Sequence, residues 1–256
     1  MTDDEWTITT HHEPHAKDAT LIEGLPGIGN AGKVVVDFIL EQTEATKVAS
    51  FFAPTLPNTV FVNEDNLVEL PKIELYHATL DGKDYLLLTG DVQPSDERSS
   101  YAFSNALLDK AEASGAKRII TLGGIGLQEE PKDPTVYCTG NDETYIKRFL
   151  DQGASKEVYG TVGPIIGVSG LLLGLAKQRH IPAVALLVET LGHPMYLGLK
   201  GAKAVMQLLM KTIGFELSLK DLDDEITQME KDEEPQKHKL KSLNKLKRAK
   251  DTNYIG

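Results

Sequence analysis

Thr20-Leu21-Ile22-Glu23-Gly24-Leu25-Pro26-Gly27-Ile28-Gly29-Asn30-Ala31-Gly32-Lys33 decides how the chain is read. A short apolar run enters a turn dense in glycine, and Val34, Val35, Phe38 and Ile39 then fall on a helical stripe. That order predicts a strand, a tight loop and a helix from Ala31 to about Gln42, the opening unit of an α/β sheet. The glycines allow a left-handed backbone or a close backbone approach, which a residue with a Cβ does not adopt cheaply.

Two ligand motifs compete for the loop. Gly27, Gly29 and Gly32 have the G-x-G-x-x-G spacing of a dinucleotide turn, which also needs an acidic residue after the next strand to hold a ribose. The next strand, Lys47 to Phe52, runs into Ala53-Pro54-Thr55-Leu56-Pro57, so that acid is missing. Gly27 to Lys33 also fits the phosphate-cradling G-x-x-x-x-G-K, but Val34 stands where a hydroxyl would ligate magnesium. A structural turn, or a site for an anion or a partner built from Gly27, Gly29, Asn30 and Gly32, is the remaining reading.

Working outward, Glu5 to Thr10 alternates as an edge strand, and His11, His12 and His15 follow on a polar loop without a fixed ligand geometry. Thr59 to Asn63, Leu67 to Leu70 and Lys72 to Thr79 read as short strands, and Asp81-Gly82 as the hairpin turn into Tyr85 to Thr89. Ser99 to Ser114 reads as a helix closed by Gly115. Arg118 to Gly126, Val136 to Thr139 and Pro182 to Thr190 read as strands, and Asp142 to Leu150 and Gly198 to Ile213 as helices.

Groups able to do chemistry are scattered along this pattern. Asp91 and Gln93 follow a buried strand, where α/β folds place ligands, although an Asp there also caps turns. Glu129, Glu130 and Asp133 could hold a divalent cation through oxygen, but Pro131 and Pro134 favour a solvated loop. Gly167-Val168-Ser169-Gly170 lacks the second flank of a nucleophile elbow, which leaves Ser169 as a helix cap. Glu189 and His193 form a possible acid–base pair at a strand end.

Composition narrows the function. With 38 acidic and 27 basic residues the net charge is −11, against a nucleic-acid-binding domain. Cys138 is the only cysteine, which excludes an intrachain disulfide and a cysteine-based zinc cage. The N-terminus is acidic and polar, unlike a signal peptide, and no apolar run reaches the ~20 residues of a bilayer span. A cytoplasmic protein is expected, without a cofactor and without contact with membranes.

Five blocks occur in one order: the opening loop, Leu88-Thr89-Gly90-Asp91-Val92-Gln93-Pro94, Ile120-Thr121-Leu122-Gly123-Gly124, Gly167-Val168-Ser169-Gly170-Leu171-Leu172-Leu173-Gly174, and Leu186-Leu187-Val188-Glu189-Thr190-Leu191-Gly192-His193. Together, from about Thr7 to Leu217, they resemble archaeal members of the proteasome assembly chaperone family. The resemblance implies a three-layer α/β/α sandwich with a mixed, mostly parallel sheet, similar to nucleoside phosphorylases. It also implies homo-oligomers without an established enzymatic activity, binding proteasome α subunits during core-particle assembly, with a paralogous chaperone as a further partner.

Past Leu217 the composition changes, and a domain over 1–217 is expected to carry a helical extension over 218–256. Leu222, Ile226 and Met229 mark an acidic amphipathic segment that Pro235 breaks, and Leu240, Leu243 and Leu246 mark a basic one. These are solvated or disordered helices, or an arm reaching a neighbour or partner; nucleic-acid binding by the basic half is a third option. In proteasome activators and some assembly chaperones a C-terminal hydrophobic–tyrosine–any-residue motif places the terminal carboxylate beside a lysine between α subunits. Here Tyr254-Ile255-Gly256 carries the tyrosine one position early, after Asn253, which leaves a docking peptide of altered register. A phosphorylase- or hydrolase-type enzyme working through Asp91, Glu189 or His193 is the rival, and a scaffold for another cytoplasmic protein the third reading.

Overall fold

The computed structural model describes residues 6–193 and 196–231. Its strands are β1 (Thr7–Thr10), β2 (Ala19–Gly24), β3 (Thr46–Phe52), β4 (Phe61–Val62), β5 (Val68–Glu69), β6 (Ile73–Leu80), β7 (Lys83–Gly90), β8 (Ala116–Leu127), β9 (Val136–Gly140) and β10 (Ala183–Leu191). The helices are α1 (Ala31–Glu41), α2 (Glu97–Ala113), α3 (Glu143–Leu150), α4 (Val168–Gln178), α5 (Leu199–Leu209) and α6 (Lys220–Lys231).

Eight strands form one sheet in the order β1-β3-β6-β7-β2-β8-β10-β9, and β4 and β5 pair as a separate ribbon. The parallel pairs β7–β2, β2–β8 and β8–β10 make the centre, and the other pairings are antiparallel. Strands β2, β3, β7, β8 and β10 therefore point one way and β1, β6 and β9 the other: the sheet is mixed, with most strands in one direction. Asp81 (φ 48°) and Gly82 (φ 74°) make the left-handed two-residue turn between β6 and β7 that an Asp-Gly pair favours.

The side-chain period of two divides the core between two faces. On β2, Leu21 packs with α2 and α4 through Phe103, Leu107 and Leu172, while Ile22 packs with α1, α3 and α5 through Val35, Phe149 and Met206. Both faces of the sheet are thus covered by helices, in three layers. Burial of a large aliphatic side chain contributes roughly 1.5–3 kcal/mol, so these two clusters hold the sandwich together. Asp96 and Asp142 cap α2 and α3 by accepting from the amides of Ser99 and Tyr145, at 2.8 and 2.7 Å.

Helix α5 does not stop at its last α-helical turn. It widens into a π turn, Met210–Gly214, that ends on Gly214 at φ 71°. The Lys83 ammonium donates to the carbonyls of Ile213 and Gly214, at 2.6 and 3.1 Å, satisfying acceptors that a helix C-terminus leaves open. The acidic segment beyond it folds back on the sandwich as α6. Leu222 is buried against the core, with Ile226 and Met229 partly buried beside it. The leucine stripe read from the sequence is therefore spent on the chain's own core along this stretch, and not held out as an arm.

Candidate functional site: the glycine corner

The carboxyl ends of the parallel strands meet at the glycine loop, and the loop is packed shut by its own chain. Gly29 has φ 63° and Asn30 φ 50°, so both sit in the left-handed region. A methyl at Gly29 would overlap the Thr190 side chain, and one at Gly32 would lie 2.7 Å from the carbonyl of Leu122. Gly27 differs: its backbone is extended and nothing lies within 4 Å of the position its Cβ would take.

Neighbouring loops are bonded to the corner. Gln93 donates from Nε2 to the carbonyl of Pro26 at 2.7 Å, and the amide of Gly198 donates to the carbonyl of Gly29, also at 2.7 Å. The amide of Asn30 turns inward to the carbonyl of Gly27, at 3.0 Å. Lys33, the residue a phosphate loop would aim at its ligand, donates instead to Asp37 Oδ2 at 2.8 Å. Both side chains are largely buried, and the Thr89 hydroxyl donates to the other Asp37 oxygen at 2.6 Å. The lysine's charge is neutralised within the protein. The spacing that matches two nucleotide motifs serves close packing of loop, helix and strand.

Glu23, at the carboxyl end of β2, is a feature that sequence reasoning missed. It is fully buried, and its two oxygens accept from the Leu25 amide at 3.0 Å and the Ser169 hydroxyl at 2.8 Å. Burial raises its pKa to about 7, and the hydrogen bonds from Leu25, Ser169 and Leu122 only partly offset that rise. The expectation that Ser169 caps α4 is wrong: the cap position is Gly167, at φ 87°, and Ser169 lies in the first turn and reaches across to β2. A free carboxylate in an apolar strand was the available signal; its partner 146 positions away was not.

A glutamate whose pKa is higher in the folded state than unfolded binds more protons when folded. Between pH 4.5 and 7 stability therefore falls as pH rises, and above 7 the full cost of the buried charge is present. Glu23→Gln keeps the acceptor for Leu25 and offers Ser169 an amide. Relative to the parent it should be nearly neutral at pH 4.5 and stabilising by about 3 kcal/mol at pH 8, measured by urea unfolding at both values. An equal effect at the two pH values would mean that Glu23 does not titrate as described.

Other candidate groups are engaged by neighbours. Asp91 accepts from the Lys72 amide at 3.0 Å, so it closes a neighbouring loop and not a turn of its own. Glu189 accepts from the Thr135 amide at 2.9 Å and the Tyr137 hydroxyl at 3.0 Å. Partial desolvation works to raise its pKa, but those hydrogen bonds prevail and hold it below the usual glutamate value, which suits a structural acceptor better than a base. Glu130 accepts from the Tyr196 hydroxyl and faces Lys200 at 3.9 Å, and the His11 ring is bonded to the Ser50 hydroxyl at 2.8 Å. No group of three potential metal ligands occurs among the described residues, and no described helix is long and apolar enough to cross a membrane. Leu240, Leu243, Leu246, Tyr254, Ile255 and Gly256 lie outside the described residues.

Fold and corner thus define a three-layer α/β domain whose ligand-binding end is occupied by its own loops. The sequence model of the PAC2 family matches residues 21–237, and the chain belongs to that family. Among solved structures it is similar to PbaB of Pyrococcus furiosus, an archaeal proteasome activator. The two share 31% identity over 89% of this chain and 96% of PbaB, with a TM-score of 0.81. PbaA of the same organism, an archaeal homologue of proteasome-assembly chaperone, has the same fold at 20% identity and a TM-score of 0.72, over 94% of this chain and 99% of PbaA. A protein of Methanocaldococcus jannaschii is 27% identical over 245 residues, 94% of this chain and 93% of its own length.

Proposed function

We propose that the protein is a non-enzymatic, homo-oligomeric chaperone that binds proteasome α subunits and assists core-particle assembly. A partnership with the proteasome is supported by the likeness to PbaB, a proteasome activator, at 31% identity across nearly the whole of both chains, and the assembly role by the fold shared with PbaA, a homologue of proteasome-assembly chaperone. The corner supports it from a different direction. Lys33 is tied to Asp37, Asp91 is bonded to Lys72 and Glu189 to Thr135 and Tyr137, so each of these groups is engaged by a neighbour within the fold. Binding surface is available elsewhere: Val60, Val62, Leu67, Val68 and Leu70, on and beside the β4–β5 ribbon, are exposed apolar residues of the kind that subunit contacts cover.

In this reading the part of the extension beyond α6, residues 232–256, carries the contact that the sandwich does not. Tyr254, Ile255 and Gly256 form the docking peptide, and Leu240, Leu243 and Leu246 a second apolar stripe. Deleting 251–256 is expected to weaken binding to purified α subunits at least tenfold while leaving the oligomer mass unchanged. Calorimetry and light scattering read the two quantities, and an unaltered dissociation constant would remove the tail from the mechanism.

Activation of an assembled proteasome is the second reading, favoured by the same likeness, because PbaB is an activator. The readings separate on the substrate of the contact. An assembly chaperone binds free α subunits, whereas an activator raises peptide hydrolysis by the finished particle. We place the protein in the cytoplasm, where both partners are synthesised.

A further inference from the structure

At the opposite end of the sheet from the glycine corner lies a cleft of about 350 Å³. Its floor follows from strand register. Thr20 on β2 stands beside Tyr85 on β7 and Arg118 on β8, so three adjacent parallel strands present these side chains on one face. Lys17 and Lys83 flank the strand starts, Tyr145 and Arg148 come from α3, and Thr212 and Ile213 from the π turn.

The charge of this cleft runs against that of the chain. Lys17, Lys83, Arg118 and Arg148 line it with only Asp18 and Asp84 opposing them, a local balance of +2 in a protein of net −11. Among the described residues none of the four cations forms an ion pair with a carboxylate. Lys83 bonds to the carbonyls of Ile213 and Gly214, and Arg118 to the carbonyl of Asp18 at 3.1 Å. Asp84 is already engaged by His77, Thr79 and the Lys17 amide.

A second observation points to a ligand. Tyr145 is only 4% exposed, and its hydroxyl has no hydrogen-bond partner. A buried hydroxyl left unmade costs about 1–3 kcal/mol, and this one sits in the wall of a cationic cleft, within the field of Arg118 and Arg148.

We propose that the cleft binds a small phosphate monoester, with Arg118 and Arg148 gripping the phosphate, Lys17 adding charge and the Tyr145 hydroxyl donating to it. A phosphate monoester carries about −1.5 to −2 charges at neutral pH, which matches the local excess, and guanidinium groups suit its planar pairs of oxygens. The volume is at the lower end of small-molecule pockets, which favours a small ligand over a phosphorylated protein.

The test is calorimetric titration of the full chain with ribose 5-phosphate, with inorganic phosphate and ribose alongside. Saturable binding of ribose 5-phosphate is expected, with none for ribose. Arg148→Met, at an exposed position, should weaken it about tenfold or more, and Tyr145→Phe, which keeps the ring, also about tenfold or more, the value of one hydrogen bond to a charged group. Thermal melts of both variants establish that they fold. Absence of saturable heat at millimolar ligand, equal binding of ribose, or affinity unchanged in both folded variants would each overturn the site. So would binding of an acidic peptide that these two changes abolish while the phosphate compounds stay inert.

Discussion

Gly29→Val is expected to destabilise the protein by about 4 kcal/mol, and Gly27→Ala, two positions away, by less than about 0.5 kcal/mol. Valine is strongly disfavoured at φ 63°, and its branches would have to occupy space already held by Thr190. Backbone strain and overpacking each contribute roughly 1–3 kcal/mol. Gly27 is extended and faces open space, so alanine meets neither obstacle. Urea unfolding of both variants decides the matter. Equal stabilities would mean that the corner is not packed as described. The contrast also bears on function, because loss of activity in a Gly29 variant would report folding, whereas Gly27→Ala interrogates the outer surface of the loop on a folded protein.

Lys33→Met should be the second large effect, about 3 kcal/mol of lost stability. Removing the ammonium strands the Asp37 carboxylate, which is 3% exposed, with the Thr89 hydroxyl as its remaining bond. Breaking a buried pair from one side costs about 3–5 kcal/mol because a desolvated charge is left behind; the partial exposure of Lys33 places this case at the low end. Lys33→Met combined with Asp37→Asn removes the charge and keeps an acceptor for Thr89, so it should recover most of the loss. A double variant no more stable than the single one would show that the charge is not the source of the cost. Had Lys33 been held for a ligand phosphate, its removal would instead leave stability nearly untouched.

The sequence made the strand–turn–helix opening legible because glycine spacing and a helical apolar stripe are local signals. The Asp81-Gly82 hairpin, the edge strand before His11 and the central strand runs were legible for the same reason. The occupants of the corner were not. Thr190 meets Gly29, Ser169 meets Glu23 and Gln93 meets Pro26 across 161, 146 and 67 positions, and no periodicity encodes such pairs. Ser169 illustrates the loss: a serine near a helix start reads as a cap, while its bond is to a buried carboxylate on the central strand. Lys33 shows the converse, since its place in a motif is visible in sequence but its neutralisation by Asp37 and the Thr89 bond to that carboxylate emerge only when α1 and β7 pack together.

That the protein works by holding other proteins is tested most directly by isolating the full chain from its native cell and measuring intact assemblies by native mass spectrometry. The expected result is a series of masses that sum several copies of this chain with proteasome α subunits. Masses of the chain alone, joined by a small molecule that it converts to product, would contradict the account.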